Sequence, residues 1–91
     1  MSSKFYYKIY YENDIKILAI CDYELENKID IRFYKGDIIE EENIDEIFQE
    51  EYQAINALGE NIIRYLLERF KFDEKLIGKY KDIPHVILFF I

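Results

Sequence analysis

From Lys4 to Cys21 the chain is dense in Tyr, Ile and Phe, and the only break is Glu12-Asn13-Asp14. Aromatic and β-branched side chains suit a pleated, half-buried surface, so Lys4–Glu12 and Asp14–Cys21 read as two strands of a hairpin. Strand side chains alternate between faces. Phe5, Tyr7, Ile9 and Tyr11 therefore share one face, and Tyr6, Lys8, Tyr10 and Glu12 the other. With 91 residues there is room for one hydrophobic core, and three Gly and one Pro leave little for linkers, so a single domain spanning 1–91 is expected.

Beyond the hairpin, Asp22 is placed to cap a short helical turn reaching Asn27, and Ile29 and Ile31 alternate with polar neighbours as in a short strand. Phe33-Tyr34-Lys35-Gly36 reads as a turn with an aromatic anchor, Gly36 supplying positive φ. At Asn43-Ile44-Asp45-Glu46 the period changes to that of a helix start, with Ile44, Ile47, Phe48, Tyr52 and Ile55 as the buried side. A second helical stripe follows: Leu58, Ile62, Ile63, Leu66, Leu67 and Phe70, opposite Glu60, Asn61, Arg64, Glu68 and Lys71. Glu60 and Arg64 have the spacing of an i,i+4 ion pair. A break is expected around Ala54–Gly59. Phe72–Asp82 reads as a connection with a short strand or turn near Leu76-Ile77-Gly78. His85–Ile91 lacks polar alternation after His85 and predicts a central strand covered on both faces. The expected fold is α+β: a small mixed or antiparallel sheet, built from the N-terminal hairpin and the C-terminal strand, packed by two helices.

Net charge is −7, which disfavours autonomous binding to free RNA or to an anionic membrane. The charge is uneven. Residues 31–63 hold two bases against nine acids, whereas residues 64–91 hold six bases against four acids. The longest apolar run, Val86–Ile91, is far shorter than the roughly 20 residues of a membrane-crossing helix. The N-terminal residues lack the apolar stretch of a signal peptide, and the lone Cys21 suits a reducing compartment. A cytoplasmic protein with no membrane association is expected.

The ordered landmarks Cys21-Asp22-Tyr23-Glu24-Leu25 with Lys28, Phe33-Tyr34-Lys35-Gly36, Asn56-Ala57-Leu58-Gly59-Glu60 and Ile83-Pro84-His85 resemble the archaeal proteins grouped as domain of unknown function family 424. The chain departs from that pattern between Lys28 and Phe33, where it is shorter. The resemblance implies a compact archaeal cytosolic α+β protein associated with translation or RNA handling. It implies no reaction and supplies no catalytic residue.

Candidate chemistry is sparse. Cys21 beside Asp22, with His85 elsewhere, has the residue types of a nucleophile and base, but Cys21 alternates with Ala19 and Ile17 as a buried structural thiol would. His85 at the mouth of the last strand has the chemistry of an acid, base or ligand, or of a hydrogen-bonded strand end. One His and one Cys do not make a structural zinc set, the acids lack calcium-loop spacing, and Gly36, Gly59 and Gly78 match no phosphate loop. Neither metal nor cofactor is expected. Asp22, Asn56, Glu60 and His85 are candidates for an exposed polar corner. Phe33, Tyr34 and Lys35, with the bases Arg64, Lys71, Lys75 and Lys79, are candidates for binding a partner. The expectation is a non-catalytic binding module, monomeric or homodimeric, with a protein or ribonucleoprotein partner and at most weak affinity for free RNA. The alternative is a small enzyme using Asp22, Glu60 or His85, which requires those groups to converge in a cleft.

Overall fold

Asn13 and Asp14 both adopt positive φ, 50° and 67°, the pattern of a tight turn whose twist matches the strands it joins. They connect β1 (Lys4–Glu12) to β2 (Ile15–Asp22), paired antiparallel from Phe5↔Asp22 to Glu12↔Ile15. The same device recurs at Lys81 and Asp82, φ 51° and 67°, between β5 (Gly78–Tyr80) and β6 (Ile83–Phe89). Two further strands, β3 (Asp37–Glu40) and β4 (Ala54–Leu58), complete a six-stranded sheet in the order β3-β1-β2-β4-β6-β5. Only β2 and β4 run parallel; the other neighbours are antiparallel. The computed structural model describes Ser3–Phe90, so Ile91, the last residue of the strand expected over His85–Ile91, lies outside the described residues.

The expected α+β fold is present, with more strands than the hairpin and closing strand alone. β4 is the principal correction. Ala54-Ile55-Asn56-Ala57-Leu58 was expected to lie at a helix end and a break, yet it is a strand between β2 and β6, because burial between two partners overrides its helix-favouring Ala and Leu. Leu58 and Ile55 thus belong to the sheet. The helix expected from Asn43 is a 3₁₀ helix over Glu41–Gln49, entered from Glu40 without a side-chain cap. Like charges four residues apart, Glu41 with Asp45 and Glu42 with Glu46, oppose an α-helix there, whereas Ile44 and Ile47 are aligned by a three-residue turn. Among the described residues the one α-helix is α1, Glu60–Phe70. Its Glu60–Arg64 pair does not form; Arg64 Nη1 instead donates to Asn61 Oδ1 at 3.4 Å. Ile29 and Ile31 form no strand but lie in an irregular segment, residues 23–36, opened by a 3₁₀ turn over Tyr23–Asn27.

Strand alternation sorts the core into two layers. On one face Phe5, Leu18, Ile20, Ile55, Ala57 and Val86 meet Ile62, Ile63 and Leu66 of α1 and Ile44, Ile47 and Phe48 of the 3₁₀ helix. On the other, Tyr6, Ala19, Cys21 and Leu58 are covered by Leu25, Ile31 and Tyr34 of the irregular segment. That cover is partial. β6 is buried on one side only: Val86 and Leu88 are enclosed, while Ile87 and Phe89 are 43% and 71% exposed, against the expectation of two-sided burial. Gly36 does not use positive φ; a Cβ there would stand 2.5 Å from the Tyr7 carbonyl oxygen, so close approach to β1 is what demands glycine.

Candidate functional site

Asp22 ends β2 with its side chain on the α1 side of the sheet. It does not cap the adjacent 3₁₀ turn. Its two carboxylate oxygens accept the backbone N–H groups of Asn61 and Ile62, each at 2.9 Å, so a strand residue caps a helix that begins 38 positions later. Burial pushes Asp22 up to about 6; the two amide bonds pull the other way without cancelling it, and Glu24 and Glu60 add to the rise. Gly59, φ 123°, makes this contact sterically feasible: a Cβ there would lie 2.6 Å from Asp22 Oδ2. Its N–H donates to the Pro84 carbonyl at 2.9 Å, anchoring the β4–α1 junction to β6. Glu60 is exposed, and Glu24 accepts from the Asn61 side chain at 3.3 Å.

Asn56 and His85 occupy the opposite face. The Tyr34 hydroxyl donates to Asn56 Oδ1 at 2.6 Å, and His85 Nε2 lies 2.9 Å from the same oxygen. Burial holds His85 below its usual range, so the ring is neutral at pH 7. With Asn56 Oδ1 as the shared acceptor, His85 carries its proton on Nε2 and keeps a lone pair on Nδ1. Cys21 sits in the layer beneath Tyr34, and burial pushes its thiol up to about 12, which keeps it protonated and poorly nucleophilic. The four polar-corner candidates therefore divide: Asp22 and Glu60 attend α1, Asn56 and His85 join Tyr34, and the sheet lies between the two pairs. Among the described residues no group of three or more His, Cys, Asp or Glu is arranged to hold a metal ion.

Of the aromatic turn, Phe33 is exposed and stacked on Tyr10 with ring centroids 4.9 Å apart, and the Tyr10 hydroxyl donates to the Phe33 carbonyl at 2.6 Å. Tyr34 is buried, an anchor rather than a contact surface. Lys35 pairs with Glu26, which also accepts from the Tyr6 hydroxyl. The bases are spread out: Arg64 on the exposed side of α1, Lys71 just past its end with φ 50°, Lys75 in a 3₁₀ turn and Lys79 in β5. Lys79 pairs with Pro84, so alternation puts it on the α1 side, whereas Tyr80 shares the side of Ile83 and Phe33. The turn and the bases do not form one surface. Sequence reading missed the other exposed apolar side chains on the turn's face of the sheet, Ile15, Tyr80, Ile87 and Phe89. No sequence signal marked Ile87 and Phe89, because Val86-Ile87-Leu88-Phe89 is apolar throughout.

No family model matches the chain, and no curated protein matches it. Among solved structures, the crystal structure of an uncharacterized conserved protein from Methanopyrus kandleri is similar, with a TM-score of 0.66 and 28% identity over 94% of this chain and 90% of that one. The likeness to an archaeal protein thus extends over nearly the whole fold. Among the described residues no helix is long and apolar enough to cross a membrane.

Proposed function

We propose that this protein is a non-catalytic binding module of the archaeal cytosol, a member of domain of unknown function family 424, whose docking surface is the sheet face turned away from α1. One observation carries the reading: Phe33, Tyr80, Ile87 and Phe89, between 43% and 71% exposed, share a face of the sheet that lacks the helical cover of the other. Several large apolar side chains left exposed on one uncovered face suit an interaction surface, whereas a single one is ordinary. The occupant is a protein, presenting an apolar segment with acidic flanks. Lys8 and Lys81 border the patch, each with its Nζ over a neighbouring tyrosine, and Glu12 is the opposing acid at the hairpin end. The acid-rich stretch 41–51 lies in the other layer, with the 3₁₀ helix. A partner belonging to a translation or RNA-handling assembly fits the family resemblance, and the net charge of −7 keeps contact with free RNA weak and salt-sensitive.

The enzyme alternative needs Asp22, Glu60 and His85 in one cleft; Asp22 is occupied by helix amides and His85 lies across the sheet. The binding reading is tested by affinity purification from an archaeal host with nuclease treatment, comparing Phe33→Ser with Phe89→Ser and a Lys71, Lys75, Lys79→Ala triple variant. Loss of a nuclease-resistant protein partner from the serine variants, with the triple variant retaining it, is expected. Retention by the serine variants and loss from the triple variant would move the docking surface to the basic region.

A further inference from the structure

At the end of the sheet remote from Asp22, a cavity of about 670 Å³ opens between residues 50–53, the last turn of α1 and the end of β6. This volume is within the usual range for small-molecule sites. Its walls are aromatic: Phe48 to Phe70 is 5.9 Å between ring centroids, Phe70 to Phe90 is 5.2 Å, and Tyr52 packs edge-on against Phe48. Glu50, Glu51 and Gln53 stand in the same lining.

The protein's own cations already use these rings. The Arg69 guanidinium lies 5.5 Å from the Phe48 centroid and 5.9 Å from that of Phe70, and Lys16 Nζ lies 5.0 Å from Tyr52. Each is neutralised by a carboxylate, Arg69 by Asp45 and Lys16 by Glu50. Glu51 has no ion-pair partner among the described residues, so the cavity joins an aromatic lining to one uncompensated negative charge. Anions are repelled there. A bare ammonium or a hydrated metal ion would lose more hydrogen bonds than Glu51 and Gln53 replace. An alkylated ammonium has little of that loss, because its positive surface is made of C–H groups that lie well against aromatic faces.

We propose that this cavity binds a small organic cation with an alkylated ammonium head group. The head group has two sources, a free small molecule or a methylated lysine side chain of another protein. Choline and a trimethyllysine-bearing peptide, titrated separately into the full chain while proton–nitrogen correlation spectra are recorded, distinguish them. Choline is expected to shift the amides of Phe48, Glu51 and Phe70, and its uncharged isostere, with tert-butyl in place of trimethylammonium, to bind about 3- to 30-fold more weakly. Glu51→Gln should weaken choline by about 2- to 5-fold. Phe90→Leu should weaken it too, and unshifted hairpin amides will certify the fold of both variants. Tighter binding of the peptide than of choline assigns the site to a methylated protein; the reverse assigns it to a free ligand. The proposal is overturned if the isostere binds as tightly as choline, or if neither cation moves these resonances.

Discussion

The two faces of the sheet are built from alternate residues of the same strands, yet they are finished in different ways. The α1 face is closed by two helical elements whose stripes supply Ile62, Ile63, Leu66, Ile44 and Ile47, and the buried carboxylate of Asp22 is matched to two helix amides. The opposite face is half closed by an irregular segment, which uses Tyr34 to reach the Asn56–His85 group and leaves Phe33, Ile87 and Phe89 in solvent. The difference teaches where to seek stability and where to seek recognition. A helix can saturate one face with apolar contact, whereas a loop covers less area and leaves side chains over for a partner.

Side-chain truncation should separate the faces most sharply. Leu66→Ala removes a fully buried side chain from the helix layer and should cost about 2–5 kcal/mol. Ile87→Ala removes a similar side chain from the open face and should cost less than about 1 kcal/mol, as surface substitutions do. Equal shifts in urea midpoint for the two variants would erase the distinction. Next in size is Gly59→Ala, which places a methyl group against the Asp22 carboxylate in a backbone region unfavourable to alanine. It should cost about 1–3 kcal/mol or more, disturb the amides of Asn61 and Ile62, and leave the His85 ring resonances in place. Movement of both sets would mean that the faces are coupled through β4.

The third effect is a pH dependence of the helix face. Asp22 is raised from 3.8 to about 6 in the folded protein, so the folded state binds a proton before the unfolded chain does. Its contribution to stability is therefore fully present below about pH 4 and is lost as pH rises through about 6, with a slope of at most about 1.4 kcal/mol per pH unit. In Asp22→Asn this dependence should vanish, so that between pH 4 and pH 6 the wild type loses stability relative to the variant. Parallel stability curves for the two proteins across that window would show that the amide bonds cancel the effect of burial.

What the sequence disclosed, and what it hid, follows the reach of each interaction. The β1–β2 hairpin was legible because its period-two pattern and its Asn-Asp turn are local, and α1 was legible from the stripe Ile62, Ile63, Leu66. β4 was not, since Ala54-Ile55-Asn56-Ala57-Leu58 has no alternation of its own and becomes a strand only between β2 and β6. The site was hidden for the same reason. Asp22 was expected to serve the nearest turn, but its partners lie 39 and 40 residues away, and Tyr34, Asn56 and His85 meet only once the register of β4 on β6 is set. Phe33 was recognisable as exposed because it sits in a turn. Ile87 and Phe89 were not, because a continuous apolar run does not reveal which of its faces will be covered.

The position of β4 also orders the events of folding. The β1–β2 and β5–β6 hairpins close over two-residue turns and can form within about 1–10 μs. The two hairpins share no strand pairing: β4 lies between them in the sheet. Its pairing with β2 closes a loop running from Asp22 to Ala54, and that entropy must be spent before any of the contacts it permits are gained. A segment with little strand preference of its own is thus the one that joins two locally closed halves, and the long-range closure cost of the sheet falls on β4 rather than on the tyrosine-rich hairpin that dominates the sequence.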